Sequence, residues 1–319
     1  MRLIHTLLIT LPMAALLCQP AVAKTKPTPS KIGIHLLLSY SPGAKKIIQA
    51  KCPIIKLLDV TPDMMAALKD YKTLHPSGIV VMRIYSPIKY QLSEKPADCA
   101  KDFWEKALWP QLSTLTQVQK GMIDYLEGPN ECDQIMCWET VYAARWFAKF
   151  WVTLATLMHE HGFKPCVGSI PVGNPPGDPQ GVEMRMRAFL PALEIAKEFG
   201  GAWCYHSYSL KYSQDPGVEY WFALRYRLLH GIIAKYAPKL KDLPLLITEA
   251  GVDITGTGQY GFQKADSDKY APWLTWLDSE VAKDDYVKGV TLFQIGNTTD
   301  WATFDVEPLA DWLVEHTGK

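Results

Sequence analysis

From Lys31 to the C-terminus, short runs rich in Val, Ile and Leu alternate with longer segments whose apolar residues recur every three to four positions. The runs at 33–39, 54–60, 78–86, 123–128, 165–170, 202–208, 245–249 and 288–295 are predicted strands. Predicted helices fill 61–74, 102–120, 140–162, 183–199, 219–236 and 271–284, and a final one spans 307–316. Strands that read as near-continuous apolar runs, as Ile54-Ile55-Lys56-Leu57-Leu58 and Leu245-Leu246-Ile247 do, are covered on both faces and belong to a parallel sheet. Eight such strand–helix units predict a closed α/β barrel, the (β/α)8 or TIM barrel, as a single domain over 32–319. An open doubly wound sheet would show a glycine-rich phosphate loop after the first strand, and Ser41-Pro42-Gly43 is not one.

The helix ends support the same division. Thr61-Pro62-Asp63 supplies an N-cap with proline at the first helical position, and Gly162, Gly200 and Gly201 stand where helices stop. Tryptophans at helical positions (146, 151, 221, 273 and 276) are expected to pack helix against barrel.

The 33 basic and 33 acidic residues cancel and form no long run of one sign. Nucleic acid and anionic membrane surfaces, which need clustered Lys and Arg, are therefore not the expected partners. At the N-terminus, Arg2, the apolar stretch 3–18 and Ala21-Val22-Ala23 predict a signal peptide over 1–23, with an extended leader over 24–31. The mature chain is then expected to be secreted or periplasmic, to have no membrane anchor after cleavage, and to be a monomer. Its six remaining cysteines form an even set in an oxidising compartment, and the predicted disulfide is Cys132–Cys137.

In a barrel of this kind, chemistry sits at the C-terminal ends of the strands. The fourth strand ends Glu127-Gly128-Pro129-Asn130-Glu131 and the seventh ends Thr248-Glu249-Ala250-Gly251. Strands four and seven face each other across the ring, so Glu131 and Glu249 can flank one bound sugar, one donating a proton and the other attacking the anomeric carbon. Asn130 is expected to donate to the neighbouring sugar hydroxyl. His206 and Tyr208, ending the sixth strand with one orientation, are expected to line the floor and to hydrogen-bond Glu249, and Arg83 to orient it. Trp138 and Trp301, in loops on the same face, are candidates for stacking on sugar rings, and His35 on the first strand is a candidate lining residue. Glu127 precedes the strand end, so a buried, hydrogen-bonded structural role is expected of it.

This ordered set resembles clan A of the glycoside hydrolases, which includes family 5 cellulases and mannanases. In that clan an Asn-Glu pair ends strand four, with the Glu as acid/base, and the nucleophile Glu ends strand seven. Here the matching residues are Asn130, Glu131 and Glu249, with His206 and Tyr208 matching a His-x-Tyr near the end of strand six. Where family 5 has a tryptophan ending strand eight, this chain has Phe293-Gln294, and Gln294 is the expected hydrogen-bonding substitute. The resemblance implies a retaining hydrolase of β-linked glycans that needs neither cofactor nor metal. The alternatives are a catalytically silent carbohydrate-binding barrel, a transglycosylase, and a metal-dependent barrel hydrolase, for which His35 lacks a His-x-His partner.

Overall fold

The computed structural model describes residues 29–133, 135, 137–264 and 267–318; the predicted signal peptide and most of the leader lie outside them. Eight strands, β1 (Ile32–Leu36), β2 (Ile54–Leu58), β3 (Ile79–Arg83), β4 (Tyr125–Glu127), β5 (Pro165–Ile170), β6 (Ala202–Ser209), β7 (Leu245–Val252) and β8 (Val287–Ile295), close into one barrel. Every neighbouring pair is parallel, and β8 pairs back onto β1. Among the described residues the helices of eight residues or more form an outer ring: α1 (Pro42–Gln49), α2 (Pro62–Leu74), α3 (Pro96–Phe103), α4 (Val141–Glu160), α5 (Pro179–Glu198), α6 (Tyr226–Tyr236), α7 (Ser267–Val281) and α8 (Ala310–Thr317). The predicted barrel is the observed one. No helix among the described residues is long and apolar enough to cross a membrane.

Short polar side chains start the helices. Ser41, Thr61, Thr140 and Asp178 each accept a backbone N–H of the first turn of α1, α2, α4 and α5. Two predicted helices are interrupted. The segment expected at 102–120 runs from α3 into a wider π-helical stretch at Trp104–Leu108, followed by a single turn, Trp109–Leu112, that contains Pro110, which has no N–H to give. A new short helix, Gln117–Met122, then starts from a capping box between Thr116 and Gln119. The segment expected at 219–236 is broken before α6. There the buried Glu219 carboxylate takes the Ala223 N–H, a donor that a continuous helix would give to the Glu219 carbonyl. Trp221, in that break, is 47% exposed and does not pack against the barrel, unlike Trp146, Trp151 and Trp273, which are buried.

The alternation of side chains along each strand divides the core in two. One set, including Ile32, Ile34, Leu36, Ile55, Leu57, Trp203, Tyr205, Leu245 and Ile247, joins the large core beneath the helices. The other set points into the barrel. Ile54, Val81, Cys166, Ala202, Cys204 and Leu246 form a small apolar cluster there. Above it comes a polar stratum, Lys56, Glu127, Ser169, His206, Thr248 and Thr291, all with 0% exposure. This stratum supports the residues at the mouth.

Candidate active site

Glu131 lies just past the end of β4, where Asp133 N–H bonds back to the Asn130 carbonyl in a tight turn. Its backbone is left-handed, with φ 47°. That conformation costs a non-glycine residue about 1–2 kcal/mol, and such strain persists where the surroundings impose a side-chain direction. Glu249 lies within β7, beside an irregularity in the register with β6 and β8. The offset turns both Thr248 and Glu249 toward the interior polar groups. One oxygen of each glutamate and a ring nitrogen of His206 all lie within 4.8 Å of one another. That spacing is near the 5–5.5 Å typical of carboxyl pairs in retaining enzymes and below the 6.5–9.5 Å typical of inverting ones.

The two carboxyl groups have different surroundings. Glu249 is 6% exposed. Its Oε1 takes contacts from Lys56 Nζ and Arg83 Nη1, each at 3.1 Å, while Tyr208 Oη donates to Oε2 at 3.0 Å. His206 Nδ1 is 3.5 Å from Oε2 and His35 Nδ1 3.9 Å from Oε1. Burial alone would push the Glu249 carboxyl up, but the charges of His206, Lys56 and Arg83 outweigh it and hold the group well below the usual carboxylate range. The side chain of Glu131 is 29% exposed, with Oε1 2.6 Å from His206 Nδ1. His206, fully buried, would lose its proton to desolvation; the carboxylates of Glu249, Glu127 and Glu131 reverse this and raise it to about 10. His206 Nδ1–H therefore donates to Glu131 Oε1.

Glu127 lies one layer below, with no exposure. Ser169 Oγ and Thr248 Oγ1 donate to its Oε1, and Lys56 Nζ is 2.7 Å from its Oε2. Desolvation pushes its carboxyl up, and Lys56 and His206 overcome this and hold it ionised. Glu127 is buried and hydrogen-bonded, as expected.

The glutamates open onto a cavity of about 520 Å³, within the range of small-molecule sites. Tyr85, Tyr208, Phe293, Trp301 and Phe304 provide aromatic surface along it, and Pro171 and Val172 of the long loop after β5 provide part of one wall. Trp301 is 38% exposed and meets Phe293 edge-on at 5.5 Å. Gly258 approaches it so closely that a Cβ there would stand 3.2 Å from the indole, and its φ of 75° suits glycine. Asp253 shapes that turn by accepting the Gly258 N–H.

Asn130 takes an Arg83 N–H on its carboxamide oxygen and gives one N–H to Asp133. His35 and His206 are both beneath the mouth and contribute no wall to the cavity. The His35 ring has no hydrogen-bond partner on either nitrogen and leans on Phe293. Burial lowers it well below the ordinary histidine range, so it is neutral.

Three expectations are corrected. Trp138 is 1% exposed and stacks edge-on against Phe147 and Phe189, because the loop after β4 folds inward over α4 and α5. Gln294 has no exposure. Its amide is consumed by the backbone of Asn297 and Trp301, so it shapes the loop that carries Trp301 and offers nothing to a ligand. The six described cysteines are free thiols; Cys132 and Cys137 are neighbours, and the Cys137 thiol donates to the Glu131 carbonyl. Sequence reasoning missed Lys56, Phe293 and Tyr85. For Lys56 the signal was present, as a charged residue within an otherwise apolar strand.

Glu131, His206 and Glu249 also have the spacing of a three-ligand metal site. The cationic groups of Lys56 and Arg83 against Glu249 Oε1 oppose a cation there.

No family model and no curated protein matches the chain. Among solved structures it is similar to a 4-O-α-L-rhamnosyl-β-D-glucuronidase from Fusarium oxysporum 12S, at 10% identity and a TM-score of 0.50, covering 91% of this chain and 69% of that one. An endo-β1,6-glucanase matches at 14% identity and a TM-score of 0.49, covering 85% and 69%. The catalytic domain of a mannanase from Streptomyces sp. SirexAA-E matches at 15% identity and 0.47, covering 95% and 90%. These neighbours are glycoside hydrolases, and at such identities the likeness is one of fold.

Proposed function

We propose that the chain is a retaining glycoside hydrolase acting on a neutral β-linked glycan. The observation that carries this reading is the approach of Glu131 and Glu249 oxygens to within 4.8 Å at one cavity. Glu249, held ionised, attacks the anomeric carbon while Glu131 gives its proton to the glycosidic oxygen, and the leaving sugar departs as an alcohol. In the second step Glu131 takes a proton from water as the water oxygen attacks the anomeric carbon, releasing Glu249 as carboxylate. His206, in contact with Glu131, hydrogen-bonds the carboxylate left by the first step and holds it in place to take the water proton in the second. Transfer to a sugar hydroxyl instead of water follows from the same intermediate.

Neutral sugars fit the lining. Arg83 is the one basic side chain among the described residues around the cavity, and Glu249 and Asn130 already engage it. Aromatic faces such as Trp301 suit the apolar faces of pyranose rings. The N-terminal signal remains part of the proposal, and sequencing the exported protein is expected to find Lys24 first.

The test is turnover of β-glucans, mannans, xylans and aryl β-glycosides by purified protein, with the first-formed anomer followed by NMR. Retention is expected, together with a 2-deoxy-2-fluoroglycosyl adduct on the peptide containing Glu249. First-formed product of inverted configuration, or an adduct elsewhere, would overturn the assignment.

A further inference from the structure

We propose that Lys56 is a positioning residue for Glu249, shared with Glu127 so that its ammonium keeps a carboxylate partner at every stage of the double displacement. This inference rests on the hydrolase reading.

Lys56 occupies an interior position of β2, opposite His35 on β1 and Val81 on β3, with no exposure. An ammonium taken out of water is costly unless paired, and well-packed apolar residues can replace a buried ion pair without loss of stability. Barrel packing alone therefore gives no reason for a lysine here, where Ile54 and Leu58 on either side follow the apolar pattern. Its contacts supply one. The side chain spans the barrel interior to reach Glu127 of β4 at 2.7 Å and Glu249 of β7 at 3.1 Å. Glu127 is itself fixed by Ser169 of β5 and Thr248 of β7, and Thr291 of β8 donates to the Thr248 carbonyl. Lys56 thus ties the attacking carboxylate to a hydrogen-bonded frame extending around the barrel.

The chemistry gives this arrangement a direction. A cation beside a carboxylate stabilises the anion, and so makes it a better leaving group when the glycosyl ester is cleaved. In the ester, Glu249 has no net charge, and a lysine paired with it alone would be left buried and uncompensated. Glu127, the nearer partner, prevents that. Lys56 and Arg83 both contact Oε1, while Tyr208 and His206 stand by Oε2. The carboxylate is thereby held at one oxygen by two cations. Among the described residues, Glu131, His35, His206, Tyr208, Arg83 and Lys56 are the titratable groups that face Glu249, so removing Lys56 takes away one of several charges that keep it ionised.

The experiment compares the parent, Lys56→Met and the double variant Lys56→Met/Glu127→Gln, in which no buried carboxylate at position 127 is orphaned. Folding is followed by circular dichroism, and kcat, KM, the pre-steady-state burst and the pH profile of kcat/KM are measured on an aryl glycoside. The double variant is expected to melt near the parent. Its kcat should fall about 10- to 100-fold, the scale of one lost charged contact, and its KM should fall with it as the glycosyl-enzyme accumulates in a visible burst. The acid limb of kcat/KM should move to higher pH. A folded double variant with parental kcat and acid limb would assign Lys56 a structural role alone and overturn the proposal. Failure of the double variant to fold, with Lys56→Met folded and parental in both readouts, would do the same. A parent that turns over no glycoside would instead count against the hydrolase reading itself, and this proposal with it.

Discussion

Replacing Tyr208 by phenylalanine removes one oxygen atom from the site and little else. The ring sits between Phe293 and Phe304, at 6.4 Å from each, and a phenylalanine fills the same space. What is lost is the 3.0 Å hydrogen bond to Glu249 Oε2. Burial, reinforced by the Glu249 charge, raises the tyrosine well above its ordinary range, so the hydroxyl remains a donor at every pH of interest. A hydrogen bond to a charged group contributes about 1.5–3 kcal/mol, and about 1.36 kcal/mol corresponds to one pKa unit. The Glu249 carboxyl should therefore rise by about 1–2 units. Since the folded value is depressed, its contribution to stability exists above the unfolded carboxylate pKa of about 4.3 and is lost as pH falls through the folded value. Tyr208→Phe shrinks that contribution by the same few kcal/mol and flattens the dependence of stability on pH in the acid range. The assay is kcat/KM against pH on an aryl glycoside, which reports the free enzyme. The acid limb should move up by about 1–2 units relative to the parent. Superimposable limbs, with the variant folded, would refute the claim that this hydroxyl helps keep the nucleophile ionised.

Trp301→Ala should raise KM about tenfold, the equivalent of about 1.4 kcal/mol of lost contact, with little change in a urea melt. Trp138→Ala should do the reverse: about 3–5 kcal/mol of stability is lost from a packed core position, while KM is unaltered in protein that remains folded. If both variants change the same quantity, the placement of these indoles is wrong. His206 makes a prediction about alkaline stability. Its folded pKa, raised to about 10, exceeds the unfolded value of about 6.5, so its contribution is complete below about 6.5 and is lost as pH rises toward 10. The difference in Tm between parent and His206→Gln should shrink across that interval, and a constant difference would count against a charged imidazole.

Much of the fold was legible because hydrophobic alternation is local. Continuous apolar runs of strand length separated by capped amphipathic segments have few arrangements other than the closed parallel sheet that is observed. The helix breaks near Pro110 and Glu219 were harder to read. Pro110 was visible as a missing donor, but the Glu219 break depends on where its side chain points, which periodicity does not report. The tryptophans show the same limit. Trp138 and Trp301 both follow strand ends, yet one is folded into the core and the other borders the cavity.

By itself the sequence determined the alternation of side chains along the regular parts of the strands and which carboxylates lie at the C-terminal ends of β4 and β7, since these follow from a period of two and from chain order. The tertiary structure decided which of those side chains meet. Lys56 and Glu249 are 193 positions apart and approach only because the ring closes; the register offset between β7 and its neighbours then turns Thr248 toward Glu127 and Glu249 toward the mouth. The ionisation state of a carboxyl group depends on the charges within a few ångströms of it, so the depressed pKa of Glu249 arises only when the barrel has closed.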